Sequence, residues 1–340
     1  MSKPFPNIKS IIVKVVTDKP VRKTPYQVKG IFMKQYSDEP IIPMLDGSYR
    51  NKFLYPRVQV KILNEQIYII GLHEGVEPVL SIIEKLSTLN FGNITFEIND
   101  FDVEQQAEQF VPTNCLLRYR FVTPWVALNH MTGGRYKFLT NQEKPSFLNR
   151  LLGQNIIFLA KEVGLKIEDS IFTKVKLESL FPKPVDDNKW GAFMGEFKTN
   201  FLFPSYIGIG NGITRGYGTI YGMFDLNAFS FDKEKIKYSD NIQELNPEDE
   251  SGMEIISASD VPRPKRHKRR PKKFKKKNKS KSFTKHTKKK TKNKKVHQKS
   301  GRRFLNDFDI EEDKRDDNID DNFDDSKFNT EQHHKQQHKF

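Results

Sequence analysis

The sequence predicts an α+β protein of two tandem ferredoxin-like (RRM-like) domains followed by a disordered charged tail. Apolar patterns typical of strands and helices follow one another in the order β-α-β-β-α-β over residues 8–98, which is the ferredoxin-like unit. Residues 116–224 repeat this order more loosely, and beyond about Asp240 the apolar periodicity stops. We therefore predict an N-terminal domain, a C-terminal domain and a tail, at residues 1–112, 113–240 and 241–340.

The first half opens with a β-branched strand at residues 8–16. A helix is predicted next, because Thr24 can cap it and Pro25 suits its first position. After a long loop, residues 55–62 alternate between apolar and polar side chains, which predicts a strand with one apolar and one polar face. The polar face carries Arg57, Gln59 and Lys61.

The remaining elements follow from turn signals and periodicity. Asn64-Glu65 is a tight connection into a second strand, residues 75–89 show helical spacing, and residues 94–98 form a closing strand. In the second half, Pro124 is expected at a bulge or edge of a strand. The other predicted elements there are a strand at 116–128, a helix at 145–163 and strands at 171–177, 191–202 and 219–224.

The positive charge of the chain is concentrated in the tail. The 340 residues have a formal net charge of +15, yet residues 263–303 alone contain 23 Lys or Arg and no Asp or Glu. Residues 304–325 are acidic, with 11 Asp or Glu against 2 Lys or Arg. The first 262 residues are therefore near neutral. The tail has almost nothing apolar to bury, so we expect it to be disordered.

Composition excludes several kinds of site. A single cysteine, Cys115, excludes an internal disulfide and a metal site built from cysteines. No apolar run approaches membrane-spanning length, and the N-terminal sequence MSKPFPNIKS lacks the apolar core of a signal peptide. We expect a cytoplasmic protein with no cofactor and no membrane partner.

The most specific local pattern is GIGNGITRGYG at residues 208–218, which we call the glycine-rich loop. Five glycines in eleven residues indicate positive φ angles and close approach by another chain. A Rossmann fingerprint is excluded because Arg215 stands where a third glycine is required, and the sequence lacks a P-loop. Main-chain amides that face RNA phosphates fit the pattern, and a purely structural loop is the alternative. The predicted RNA-binding residues here are Gly208, Gly210, Gly212, Arg215, Gly216, Tyr217 and Gly218.

Together with a second segment, the glycine-rich loop resembles a known family. The segment YRNKFLYPRVQVK at residues 49–61, followed by Ile70-Gly71 and Glu74-Gly75, is similar to the CRISPR repeat-processing endoribonucleases of the repeat-associated RNA-binding superfamily. The resemblance covers residues 1 to about 225. It implies metal-independent cleavage of a CRISPR repeat transcript into guide RNAs by 2′-hydroxyl attack, leaving 2′,3′-cyclic phosphate and 5′-hydroxyl ends. It also implies that the partners are this RNA and subunits of a CRISPR effector complex.

Such enzymes often place one or two histidines in the loop after the first helix, and this sequence departs from that pattern. Residues 37–53 read SDEPIIPMLDGSYRNKF and contain no histidine. Proton transfer and stabilisation of the pentacoordinate phosphate would then fall to Tyr49, Lys52 and Tyr55, with His130 as a more distant acid/base candidate. Tyr55 could instead pack in the core, and Lys52 could be a solvated loop residue. Predicted RNA contacts in the same segment are Arg50, Arg57 and Lys61.

Two other functions remain compatible with the sequence. The missing histidine favours a catalytically silent RNA-binding protein of the same fold. The basic segment could also make the chain a general nucleic-acid-binding chaperone, because it can neutralise many phosphates without reading sequence. A merely solubilising tail is the simplest alternative. The RNA-processing hypothesis depends on the glycine-rich loop and segment 49–61 forming one cradle for an RNA backbone.

Overall fold

A computed structural model describes residues 8–107, 109–167, 170–185, 190–225, 237–245 and 252–261. Within them, both halves of the chain form ferredoxin-like domains, as the element order predicted. The basic and acidic segments of the predicted tail lie outside the described residues. In the described ranges, no helix is both long and apolar enough to span a membrane.

The first domain is an antiparallel sheet in the order β2-β3-β1-β5-β4 with helices on one face. The strands and helices of this domain are β1 (Ser10–Thr17), α1 (Pro25–Gln35), α2 (Ile42–Leu45), β2 (Val58–Leu63), β3 (Gln66–Leu72), α3 (Val76–Ile83), β4 (Thr88–Asn90) and β5 (Thr95–Gln106). Thr24 caps α1 as predicted, because its hydroxyl accepts from the Gln27 amide at 3.2 Å. The β2–β3 hairpin also forms as predicted, with positive φ at Asn64 and Glu65.

One boundary of the first domain differs from prediction, and the polar face of β2 is buried. The helix predicted over residues 75–89 ends at Ile83, and the residues after it turn into β4, which buries Leu89 and pairs with β5. The predicted polar face of β2 is not exposed to solvent: Gln59 is 1% exposed and Lys61 0%. The second domain covers that face, so both sides of β2 are buried.

The second domain has a main sheet in the order β12-β6-β11-β8-β14, with β13 also paired to β6, and a smaller sheet in the order β7-β10-β9. Its elements are β6 (Val111–Phe121), β7 (Trp125–Leu128), α4 (His130–Tyr136), α5 (Glu143–Glu162), β8 (Ile171–Leu177), β9 (Lys183–Val185), β10 (Trp190–Phe193), β11 (Gly195–Leu202), β12 (Ile220–Gly222), β13 (Ile242–Glu244) and β14 (Glu254–Ile256). The order β12-β6-β11-β8 is that of a ferredoxin-like sheet, with α5 as the first helix. Residues 203–219, all described, place the glycine-rich loop where the second helix would stand.

Several boundaries in the second domain differ from prediction. Residues 116–128 form parts of two strands rather than one, with Pro124 between β6 and β7. The strand predicted at residues 191–202 is interrupted before Gly195, whose φ of 145° favours glycine. The acid/base candidate His130 is the first residue of α4 and follows the capping residue Asn129.

The ordered structure extends past the limit predicted at about Asp240. β13 pairs with β6, and β14 pairs with β8, where Ile256 lies opposite Ile171. The α5 residue Asn149 donates to the carbonyl oxygen of Gly252 at 2.8 Å. A Cβ on Gly153 of α5 would lie 2.4 Å from Ile256 Cδ1, so Ile256 packs directly on that helix.

We predict that Ile256→Ala lowers the free energy of unfolding by about 2–5 kcal/mol, because it leaves a cavity against α5. Ile256 is 5% exposed, whereas its neighbour Ile255 is 54% exposed. Ile255→Ala is therefore the matched control and should change stability by less than about 0.5 kcal/mol. Chemical denaturation measures both. Equal effects of the two variants would show that residues 254–256 are not part of the folded domain in solution.

Candidate RNA-processing site

The glycine-rich loop of the second domain docks on β2 of the first domain. The Tyr55 hydroxyl donates to the carbonyl oxygen of Gly208 at 2.8 Å, and the Gly208 amide donates to Gln59 Oε1 at 2.9 Å. Lys61 Nζ donates to the carbonyl oxygen of Ile213 at 3.2 Å. The two segments singled out in the sequence are therefore in direct contact, through groups that are buried between the domains.

Two buried lysines hold the central turn of the loop, residues 213–215. Lys29 of α1 donates to the carbonyl oxygen of Thr214, next to the carbonyl that Lys61 binds. Burial, together with the nearby charge of Lys29, lowers the pKa of Lys61 to about 7. Since Lys61 is fully buried, it cannot contact RNA directly in this structure, and its observed role is to anchor the loop.

Most main-chain amides of the loop are engaged inside the protein, contrary to the expectation that they face RNA phosphates. The Ile209 amide donates to Gly218, and the Asn211 amide donates to the carbonyl oxygen of Val126 at 3.0 Å. Other amides of the loop with acceptors in the protein are those of Gly208, Arg215, Gly216, Tyr217 and Gly218. A cradle built mainly from bare amides is therefore wrong.

Glycine is required in this loop because other parts of the same chain lie too close to its backbone to leave room for a side chain. Gly218 has a φ of 65°, and a Cβ there would lie 1.9 Å from the carbonyl oxygen of Ile209. A Cβ on Gly216, also at positive φ, would lie 2.8 Å from Pro25 Cγ of α1. No larger residue fits these positions without moving backbone or α1. Gly208, Gly216 and Gly218 are buried, so their observed role is structural, whereas Gly210 and Gly212 are partly exposed.

The two predicted side-chain ligands of the loop are half-buried on the small sheet. The guanidinium of Arg215 lies 5.8 Å from the ring centre of Trp190, within the range of a cation–π contact. Tyr217 packs against the small cluster that contains Val126 and Trp190. Both side chains therefore lie at the surface edge of the loop, where part of each remains accessible.

Arg57 is buried and joins the two domains. Its Nε donates to Glu74 at 2.6 Å, and its Nη2 donates to the carbonyl oxygen of Glu162, the last residue of α5, at 2.6 Å. The Glu162 carboxylate accepts from the Leu54 amide at 3.1 Å. Arg57 therefore has a structural role, and Glu162 fixes the end of the predicted catalytic segment.

Residues 47–52 are exposed, whereas Phe53, directly before Leu54, is buried. Tyr49, Arg50 and Lys52 are exposed, and Lys52 Nζ lies 5.2 Å from the ring centre of Tyr49 and 5.0 Å from that of Phe53. A lysine held by two rings beside an arginine can bind a phosphate. Arg50 and Lys52 are the accessible cations of the site, and Tyr49 is the exposed ring beside Lys52.

The other two catalytic candidates have different surroundings. Tyr55 is buried, and burial raises the pKa of its hydroxyl, which already donates to Gly208. A catalytic role for Tyr55 is therefore not supported by this geometry. His130 is exposed at the start of α4, directly after β7, the strand whose Val126 accepts from the glycine-rich loop.

Sequence reasoning missed three residues that build the site. Lys29 and Gln59 bind the glycine-rich loop, and Glu162 binds segment 49–61. Lys29 lies between the buried Val28 and Phe32 on the apolar stripe of α1. A lysine within a helical apolar stripe is the signal that could have identified it.

The fold and site define this chain as a tandem ferredoxin-like protein of the repeat-associated RNA-binding superfamily. Family models for the Cas6b N-terminal domain and the Cas6b C-terminal domain match residues 6–109 and 112–223. The chain therefore belongs to the Cas6b family.

Individual relatives agree with this assignment. A crystal structure of Cas6b is 28% identical in sequence, with a TM-score of 0.56. The match covers 64% of this chain and all of the Cas6b chain. The structure of a CRISPR RNA processing endoribonuclease Cas6b is 26% identical with a TM-score of 0.51 and the same coverage. An uncharacterized protein of Methanocaldococcus jannaschii is 28% identical over 139 residues, which are 41% of this chain and 95% of that protein.

We predict a pH-dependent stability that depends on Lys61. Its pKa of about 7 in the folded protein lies below the value of about 10.4 for an unfolded lysine. Between these values unfolding takes up a proton, so the free energy of unfolding rises with pH by up to about 1 kcal/mol per unit. Relative to Lys61→Met, the wild type should become more stable from about pH 7 to pH 10 and show no such change below pH 7.

Urea denaturation at several pH values measures this difference. Lys14→Met is the matched control, because Lys14 lies on the same sheet face two strands away but is half-exposed. Parallel stability curves for the wild type and Lys61→Met would contradict the buried position of Lys61.

Proposed function

We propose that this chain is an endoribonuclease that binds a CRISPR repeat transcript and processes it into guide RNAs. Membership of the Cas6b family supports the enzyme class, and the CRISPR RNA processing endoribonuclease Cas6b supports the substrate. The observation that carries the proposal is the docking of the glycine-rich loop on β2. It joins the two family motifs, and the exposed residues Tyr49, Arg50 and Lys52 belong to the same segment as Tyr55, which binds the loop.

We infer that cleavage proceeds by attack of the RNA 2′-hydroxyl on the adjacent phosphate, without a metal. In this step the 2′ oxygen bonds to phosphorus as the bond to the 5′ oxygen breaks, which gives a 2′,3′-cyclic phosphate and a 5′-hydroxyl. Lys52 stabilises the charge of the pentacoordinate phosphate, and Arg50 binds the flanking phosphate. Tyr49 and His130 are the exposed groups that remain for proton transfer.

The remaining residues act in two ways. Arg215, Tyr217 and the partly exposed glycines belong to the loop that docks on β2 and would contact the RNA backbone or a base. Tyr55, Arg57 and Lys61 hold the surface in place from below. The basic segment at residues 263–303 would add affinity that is independent of sequence. Binding to effector-complex subunits and a cytoplasmic location are further parts of the proposal.

A catalytically silent RNA-binding protein is the second candidate. It is favoured by one observation, the absence of histidine from residues 37–53. In that case the same surface would bind the repeat without cutting it.

Incubation of a repeat-containing transcript in EDTA tests the proposal. We expect cuts at one position per repeat, with cyclic-phosphate and 5′-hydroxyl ends identified by mass spectrometry. A transcript with a 2′-deoxy nucleotide at the mapped position is the control and should stay intact. Tight binding without cleavage would establish the silent candidate. Sequence-independent binding that is lost with residues 263–340 would establish a chaperone acting through the tail.

We predict that Lys52→Ala slows single-turnover cleavage by about 100-fold or more, because it removes charge from the transition state. Binding of the uncut repeat should weaken only a few-fold. Arg50→Ala is the matched control in the same exposed segment, and it should weaken binding while leaving the rate at saturating protein close to that of the wild type. An unchanged single-turnover rate for Lys52→Ala would rule out this role for the lysine.

A further inference from the structure

Three tyrosines from both domains form a row beside the docked glycine-rich loop. The ring centres of Tyr68 and Tyr206 are 5.0 Å apart, and those of Tyr206 and Tyr221 are 5.5 Å apart. Arg120 is the cross-strand neighbour of Tyr221, and Glu104 extends from β5 on the other side. We call these five residues the tyrosine cleft. Four of them, all but Tyr68, line a cavity of about 520 Å³, within the usual size of a small-molecule site.

The cleft is separate from the candidate catalytic segment but lies on the same sheet face as the anchored loop. Tyr68 of β3 is the direct cross-strand neighbour of Lys61 on β2. On the neighbouring strands Ile70 pairs with Ile12, and Ile12 pairs with Glu104 of β5. Adjacent strands are about 4.8 Å apart, so the cleft extends roughly 14 Å across the sheet from β2. Ile12 and Ile70 are buried under the second domain, so the cleft opens at the β5 side of the sheet, where Glu104 is exposed.

The central ring of the row is held in an unfavourable backbone conformation. Tyr206 has a φ of 65°, which side chains other than glycine rarely adopt. Its amide donates to the carbonyl oxygen of Ile220 at 2.7 Å, so β12 fixes this conformation. Such strain persists where the surrounding structure imposes it and is concentrated at ligand sites.

The chemistry of the cleft suits a planar, uncharged ligand with polar edges. Tyr221 is 39% exposed, and Arg120 and Glu104 are exposed as well. Burial, with smaller contributions from Tyr68, Tyr221 and Glu104, raises the pKa of Tyr206 to about 12, so its ring stays neutral. Arg120 can donate to a ligand edge and Glu104 can accept from it. The carboxylate of Glu104 disfavours a phosphate in the same place.

We propose that the tyrosine cleft stacks unpaired nucleobases of the RNA against Tyr221 and Tyr206, with Arg120 and Glu104 contacting base edges. The inference rests on the proposed function for the choice of RNA as the ligand. Aromatic rings bind bases of single-stranded RNA by stacking, and every base offers a face for this. The cleft thus holds the single-stranded RNA that flanks the segment at the catalytic residues.

A binding comparison with the full-length protein tests the cleft separately from cleavage. The probe is a fluorescent single-stranded 2′-O-methyl oligoribonucleotide, which cannot undergo 2′-hydroxyl attack. The second probe has the same backbone with abasic residues. The wild type should prefer the probe with bases, and Tyr221→Ala should reduce that preference by roughly 5- to 150-fold, the usual effect of losing one stacking ring. Phosphate contacts of the basic segment are equal for both probes and cancel in the ratio.

Two further variants make the outcome decisive. Tyr221→Phe keeps the ring and should retain the preference, which separates stacking from a general loss of structure. Phe138→Ala is the control for removing an exposed ring elsewhere, because Phe138 is 90% exposed and does not line the cleft. Equal binding of the two probes by the wild type, or an unchanged preference in Tyr221→Ala, would overturn the proposal. Absence of cleavage in EDTA would instead contradict the proposed catalysis. The comparison of the two probes would still test base stacking, because it measures binding only.

Discussion

The structure depends on a set of three buried hydrogen bonds, in which Gln59 and Lys61 of β2 and Tyr55 just before it bind the glycine-rich loop. Separation of the two domains would leave the carbonyl groups of Gly208 and Ile213 without these donors. It would also expose an apolar cluster that both domains share. Docking buries Lys61 at a desolvation cost that lowers its pKa, and the hydrogen bond to the Ile213 carbonyl oxygen offsets part of that cost. The two ferredoxin-like domains therefore behave as one folding and binding unit.

This contact changes the role of the glycine-rich loop. Its glycines permit tight packing against β2, α1 and Trp125, and many of its amides bind acceptors in the protein. The loop is therefore held firmly in place, and in the proposed function the recognition of RNA falls to exposed side chains. Tyr49, Arg50 and Lys52 are exposed, and Tyr68 of the tyrosine cleft is the cross-strand neighbour of Lys61, which anchors the loop. The near-neutral charge of residues 1–262 agrees with recognition by few, well-placed cations, because nonspecific affinity is available from the basic segment.

The sequence predicted the fold well where local signals decide the outcome. The cap at Thr24, the Asn64-Glu65 hairpin and the long helix α5 depend on a few neighbouring residues, and each forms as expected. Positions decided by packing between the domains could not be read in the same way. The alternation of β2 indicates a solvent-facing side, but the second domain covers it, so Gln59 and Lys61 are core residues. Likewise, Glu162 is far from Leu54 in sequence, and only the docked domains bring them together.

The same long-range contact explains how the second domain can control chemistry on the first. The Leu54 amide and the Arg57 guanidinium both bind Glu162 at the end of α5, and Phe53 lies under both Arg57 and Lys52. The exposed lysine is therefore positioned by a helix whose other contacts include β8 and β14. If Lys52 acts on the phosphate as proposed, a motion of α5 relative to β2 would displace it, and a misplacement of 1 Å can cost about 100-fold in rate. Precise docking of the domains is then a condition for cleavage, not only for stability.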